Sequence, residues 1–97
     1  MNTQIAVCFQ QPEISELFAE LLRMRGADVL VTEHLSDLEP SAKVVTEPHF
    51  FPTLASTLHS KCLLVTNRSS DAPTGIATLV RPLTLEKIEQ ALSRLVA

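Results

Sequence analysis

Short aliphatic runs alternate with helix-patterned or polar stretches along the chain, and that alternation leaves few folds open. The runs are IAVCF at 5–9, VLVT at 29–32, KVVT at 43–46, CLLVT at 62–66 and IATLV at 76–80. Each has the length of a strand and is followed by Gln, Glu, Pro, Gly or other polar residues. After the first run, Ile14, Leu17, Phe18, Leu21 and Leu22 recur at the spacing that lines one helix face, with Glu13, Glu16 and Glu20 off that stripe. Pro12 suits the first turn of this helix, where its missing N–H costs nothing. Gly26 is its natural stop, because glycine enters the left-handed conformation cheaply. After the fifth run, Thr84 is a good N-cap for a closing helix whose stripe is Leu85, Ile88, Leu92, Leu95 and Val96. Strands separated by helices predict a parallel sheet with right-handed crossovers.

The middle of the chain is less regular. Residues 34–40 are polar apart from Leu35 and Leu38 and have room for one helical turn rather than a full helix. Residues 51–59 carry a weak helical pattern through Leu54, Ala55 and Leu58, with Pro52 tolerable in the first turn. Residues 67–75 are polar and read as loop. The 97 residues fit a single domain, without internal repeat, linker or low-complexity tract. All four aromatics are Phe, so the core is mostly aliphatic, which suits parallel strands covered on both faces.

Several function classes fit poorly. The net charge of −3 offers no compact basic footprint for nucleic acid. No apolar run approaches the roughly 20 residues of a membrane span, and residues 1–9 lack the basic stretch of a signal peptide. Cys8 and Cys62 lie in strand-like runs without redox or zinc spacing, and are expected to be buried free thiols in a reducing compartment. His34, His49 and His59 are not spaced as metal ligands and are expected to be solvated.

Two stretches resemble the receiver family of two-component signalling. IAVCFQQPEISELFAELL at 5–22 is similar to that family's first strand, acidic turn and first helix. GIATLVRPLTLEKIEQAL at 75–92 is similar to its fifth strand, the Lys-Pro step with a cis peptide bond, and its final helix. Thr66 falls where the family places a Thr or Ser. No one motif is highly specific; their order along the chain carries the resemblance.

The resemblance implies a doubly wound, flavodoxin-like α/β fold with five parallel strands in the order 2-1-3-4-5. Phosphoryl chemistry in such a sheet sits at the carboxyl ends of the strands. It requires a carboxylate nucleophile on strand three and Mg²⁺ held by carboxylates from the end of strand one. Carried over residue by residue, the acidic pair falls on Phe9 and Gln10, neither a carboxylate. The acceptor position falls on Glu47, or on Thr46 if the register slips by one, and the Lys position falls on Arg81. Only Thr66 is retained unchanged. The intervals from Glu47 to Thr66 and from Thr66 to Arg81 look short, which implies a reduced third helix and a fourth replaced by loop. A Glu facing an Arg and a Thr suggests a permanently charged pocket that imitates a phosphorylated state.

The expectation is therefore a degenerate receiver-like domain, not itself an enzyme and without cofactor or metal, working by protein contacts within a larger bacterial signalling protein. A hybrid sensor histidine kinase is the most natural parent, and an inactive N-terminal receiver of a transcription regulator is the second. Its partners would be other domains of that parent, a cognate signalling protein or a second copy, reached through Glu13, Glu16 and Glu20 or through Phe50 and Phe51. Nucleic acid and direct membrane contact are not expected. The location implied is the bacterial cytoplasm, with a tether to the inner membrane through the parent. Two rivals stand beside this reading. One is an atypical phosphoacceptor or small enzyme using Glu47 or Thr46, with Glu13 helping to recruit a metal. The other is a small-ligand module binding at the strand ends.

Overall fold

The structure is a computed structural model that describes residues 4–36, 38–39, 41–67 and 75–96. The strands are β1 (Gln4–Cys8), β2 (Asp28–Val31), β3 (Lys43–Thr46), β4 (Cys62–Thr66) and β5 (Ala77–Val80). All neighbouring pairs are parallel, in the order β2-β1-β3-β4-β5. That is the order the receiver resemblance implies. Among the described residues, two α-helices, α1 (Pro12–Met24) and α2 (Leu85–Val96), complete the regular structure with two short 3₁₀ helices, Phe51–Thr53 and Ser56–Lys61.

The ends of α1 follow from local chemistry. Pro12 is its first residue. At the other end the Gly26 N–H donates to Arg23 O at 2.9 Å and the Ala27 N–H to Leu22 O at 3.1 Å, with Gly26 at φ +83°. This paired closure needs one left-handed residue, which glycine supplies without a Cβ penalty. At the start of α2, the Lys87 N–H donates to Thr84 Oγ1 at 3.2 Å, so Thr84 caps the helix as its sequence position predicts.

Both helices lie on one face of the sheet. There Ile5, Val7, Phe9, Val45, Leu63, Val65 and Leu79 pack with Phe18 and Leu22 of α1 and Ile88 and Leu92 of α2. The two helical stripes are wider than the surface they cover. Leu17 is 45% exposed and Leu85 61% exposed, so both fall at stripe margins rather than in the core. Arg25, just past α1, ties the helices together: its guanidinium donates to Ser93 Oγ at 2.9 Å and to Glu89 O at 3.2 Å.

The other face is covered more thinly. Cys8, Leu35, Val44, Leu54, Leu58 and Cys62 form its core, with Leu38, Phe50 and Phe51 packed against them. The weak helical pattern over 51–59 resolves into the two 3₁₀ helices. Leu54 and Ala55 are extended, with ψ of 131° and 140°, and interrupt any continuous helix. The described residues of 34–40 include no helical turn. Leu30, which pairs in register with Ala6, is 39% exposed. The loop expected over 67–75 lies mostly outside the described residues.

Candidate functional site

At the carboxyl ends of β3, β4 and β5, Glu47, Pro48, His49, Val65, Thr66, Asn67 and Arg81 line a cavity of about 240 Å³. The strands set these residues side by side. Cys8 pairs with Thr46, Thr46 with Leu64, and Thr66 with Val80, so Glu47 and Arg81 each lie one residue past a strand end. The Arg81 N–H donates to Thr66 O at 2.8 Å, extending the β4–β5 ladder into the site. The Arg81–Pro82 peptide is cis, the feature expected at this step.

Glu47 is half-buried, and its Oε2 accepts the Gln10 backbone N–H at 2.7 Å. Its carbonyl accepts the N–H groups of Phe50 and Phe51 at 3.1 and 3.2 Å. The carboxylate thus ties the turn after β1 to the turn after β3. No ion pair joins Glu47 and Arg81 in the structure, although both line the cavity, so the facing Glu–Arg pair suggested by the sequence takes a different form. Thr46 is fully buried and its hydroxyl donates to Cys8 O at 2.7 Å. It is not among the residues lining the cavity, and its hydroxyl is already engaged.

Phe9 is placed elsewhere than expected. Its ring is 5% exposed and stacks on Phe18, with centroids 5.3 Å apart and planes 11° from parallel. It fills the helix-side core instead of flooring the cavity. Gln10 reaches the site through its backbone, and its side chain is exposed. Glu13, Glu16 and Glu20 are exposed on α1 and do not line the cavity. Phe50 and Phe51 are half-buried against the second core, where the Phe51 and His59 rings meet at 4.6 Å with planes tilted by 33° and Phe50 meets His49 edge-on at 4.9 Å. They are core-edge residues, each partly exposed.

Two cavity residues escaped the sequence reading. His49 was expected merely to be solvated, and Asn67 was assigned only to a loop, yet both line the site. The turn after β3 and the end of β4 put them there, and no spacing rule marks either one. His34 is exposed, as expected, but His59 is half-buried and its Nε2 lies 3.3 Å from Leu54 O.

Mg²⁺ needs near-octahedral oxygen ligands, usually one or two carboxylates with water. The residues here do not fit that demand. Of the two positions where the resemblance implies an acidic pair, Phe9 has its ring committed to the core and Gln10 carries an amide. Among the described residues, Glu47 brings the one carboxylate lining the cavity, and that carboxylate holds a backbone N–H. Among the described residues, no three His, Cys, Asp or Glu side chains converge.

Both cysteines are buried free thiols. Burial pushes Cys8 from its ordinary value of 9.0 up to about 11, a rise opposed by a hydrogen bond with Thr46 and reinforced by the nearby charges of Glu47 and Glu33. Burial alone pushes Cys62 up to about 12. Neither is a thiolate nucleophile near neutral pH.

The sheet order, the strand-end cavity and the Arg-Pro step define the receiver fold. No family model matches this sequence, and no curated protein matches it. Solved structures do. The receiver domain of the hybrid histidine kinase CckA matches with a TM-score of 0.71 and 14% identity, covering 97% of this chain and 99% of that one. The chemotaxis response regulator CheY4 of Vibrio cholerae matches with a TM-score of 0.71 and 12% identity, covering 98% and 99%. A response-regulator receiver protein from Pseudomonas putida matches with a TM-score of 0.68 and 14% identity, covering 97% and 98%. At these identities the likeness is one of fold.

Proposed function

We propose that this chain is a degenerate receiver domain of two-component signalling that works through protein contacts and accepts no phosphoryl group. The observation that carries this reading is the use made of the acidic-pair and acceptor positions. Phe9 is built into the core, and the Glu47 carboxylate holds the Gln10 N–H. Phosphoryl transfer to a carboxylate needs an exposed oxygen nucleophile beside a cation that neutralises the incoming charge. Here the one carboxylate among the described cavity residues is engaged as a strut between two turns. The strut holds the β1 and β3 turns in one arrangement without any modification, so the domain presents a constant surface to its neighbours.

A larger signalling protein, with a hybrid histidine kinase as the favoured parent, is the setting in which such a fixed surface has a use. The domain would orient neighbouring domains or a second copy, and its location would be that of the parent. The fold of the CckA receiver, itself a domain of a hybrid kinase, is consistent with that setting.

Incubation with Mg²⁺ and acetyl phosphate, read by intact mass, tests the proposal. The expected result is an unchanged mass at every time point. A phosphoryl adduct that Glu47→Gln abolishes would show an active, atypical acceptor instead.

A further inference from the structure

β2 forms one edge of the sheet, and among the described residues no strand pairs with its outer side. It is also the one described strand without a buried residue. Leu30 is 39% and Val31 38% exposed, whereas on the other edge strand, β5, Leu79 is buried and Val80 half-buried. An open edge with exposed aliphatics is a template for another strand, and such edges are usually blunted by a charge, a Pro or a bulge. Val29, Leu30 and Val31 include no charge and no Pro, and their register with β1 is unbroken.

The pairing with β1 fixes which backbone groups are left over. Ala6 stands level with Leu30 and Val7 with Val31, and the Thr32 N–H donates to Val7 O at 3.0 Å. Backbone direction alternates along a strand, so the N–H and C=O groups of Leu30 and Thr32 point into the sheet and those of Val29 and Val31 point outward. Side chains alternate between the two faces as well. Val29 packs on the helix-side core and Val31 shares its side, while Leu30, level with Ala6, lies on the thinly covered face.

We propose that two copies of this chain associate through β2, edge to edge, about a twofold axis at Leu30. The strands then run antiparallel, with Val29 of each copy opposite Val31 of the other and Leu30 opposite Leu30. Each valine pair exchanges two main-chain hydrogen bonds through the outward groups. Leu30 with Leu30 is the intervening non-bonded pair, with Cα atoms about 4.5 Å apart and side chains in closest contact. Asp28 falls opposite Thr32, so no two carboxylates are opposed. Other registers fit worse. An axis at Val29 sets Leu30 against Asp28, and Val31 against Ala27, whose N–H already donates to Leu22 O. An axis at Val31 sets Leu30 against Thr32 and Val29 against Glu33. The Leu30-centred register alone of these matches apolar to apolar at all three positions, and this self-complementarity selects a second copy as the occupant. The two sheets become one of ten strands, five from each copy. β2 lines no part of the Glu47 cavity, so the pairing holds whether or not Glu47 accepts a phosphoryl group. So short a contact belongs to the small, transient class of interfaces.

Sedimentation of the full chain over a concentration series reaching about 1 mM, the weak end of specific association, tests for the dimer. Amide hydrogen exchange at both ends of the series locates it. The expected result is a monomer–dimer equilibrium in which the Val29 and Val31 amides gain protection as concentration rises. The Leu30 amide, already bonded to β1, keeps the same protection throughout. Leu30→Lys opposes two ammonium groups on the axis and should weaken the dimer by about tenfold or more. Leu17→Lys and Leu85→Lys, at exposed aliphatics of the two helices, should leave it unchanged. Circular dichroism checks the fold of each variant, and the exchange pattern of the unmodified chain decides the matter if Leu30→Lys does not fold. A monomer at every concentration, a dimer weakened by Leu17→Lys or Leu85→Lys but not by a folded Leu30→Lys, or protection that fails to alternate along β2 would each overturn the proposal.

Discussion

Phe9→Ala is the substitution with most to say about this molecule, because the receiver resemblance implies a metal-binding carboxylate at Phe9, whereas the structure builds its ring into the core. Phe9 is 5% exposed and stacks on Phe18, which has no exposure at all. Truncation removes the ring from a packed environment and leaves a cavity, a change that costs about 3–5 kcal/mol. Of this, the stacked geometry accounts for about 0.5–1.5 kcal/mol. Domains of this size are stable by roughly 5–15 kcal/mol in total, so the loss is a large fraction. Phe9→Leu keeps most of the volume and should cost less than about 1.5 kcal/mol. Phe9→Asp, the change that restores the carboxylate, should be worse than alanine because it buries a charge in an apolar core. Urea unfolding followed by circular dichroism measures all three, with a midpoint lower by on the order of 2 M for alanine at unchanged slope. A cost for Phe9→Ala below about 1 kcal/mol would refute the reasoning, since the ring would then not be part of the core.

Further outcomes follow from the same packing. Leu64→Ala, at a fully buried position in β4, should cost about 2–5 kcal/mol, while Gln10→Ala, which keeps the backbone N–H to Glu47, should cost far less; equal small effects would contradict the strand assignment. Arg25→Ala removes both hydrogen bonds from α1 to α2 and should cost about 1 kcal/mol, and an unchanged urea midpoint would show that the tie is idle. Stability should fall in alkali. Both folded thiols keep their protons above pH 9.0, where unfolded thiols lose them, so this contribution is complete below pH 9.0 and is lost as the pH rises towards about 11 and 12. Each thiol adds a slope of about 1.4 kcal/mol per pH unit in that window, and Cys8→Ala with Cys62→Ala should flatten the profile; an identical profile would refute the burial argument.

Strand alternation, the Pro12 start, the Gly26 stop and the Thr84 cap were legible in the sequence because each rests on chemistry within a few residues. The thin second face was not. Leu35, Leu54, Leu58, Phe50 and Phe51 cover it by tertiary contact, and only a weak helical pattern through Leu54 and Leu58 hints at it. Leu17 and Leu85 looked like core because a stripe shows which residues share a face but not how much of it a neighbour covers. At the candidate site, Glu47, Thr66 and Arg81 could be placed by strand ends and resemblance. The direction of Phe9 was available too, since it continues the alternation of Ile5 and Val7, both on the helix side of the sheet. The Gln10 N–H left no trace, because a backbone donor carries no side-chain signature. His49 reaches the cavity through the turn after β3 and Asn67 by following the end of β4.

The central claim is that Glu47 is a strut and not an acceptor. Titration of Mg²⁺ with beryllofluoride into the labelled chain, followed by amide NMR, probes it most directly, since that mimic requires both the metal and an available carboxylate. The account predicts no saturable shift at Phe9, Gln10, Glu47, Thr66 or Arg81. Saturable shifts clustered on those five residues would contradict it.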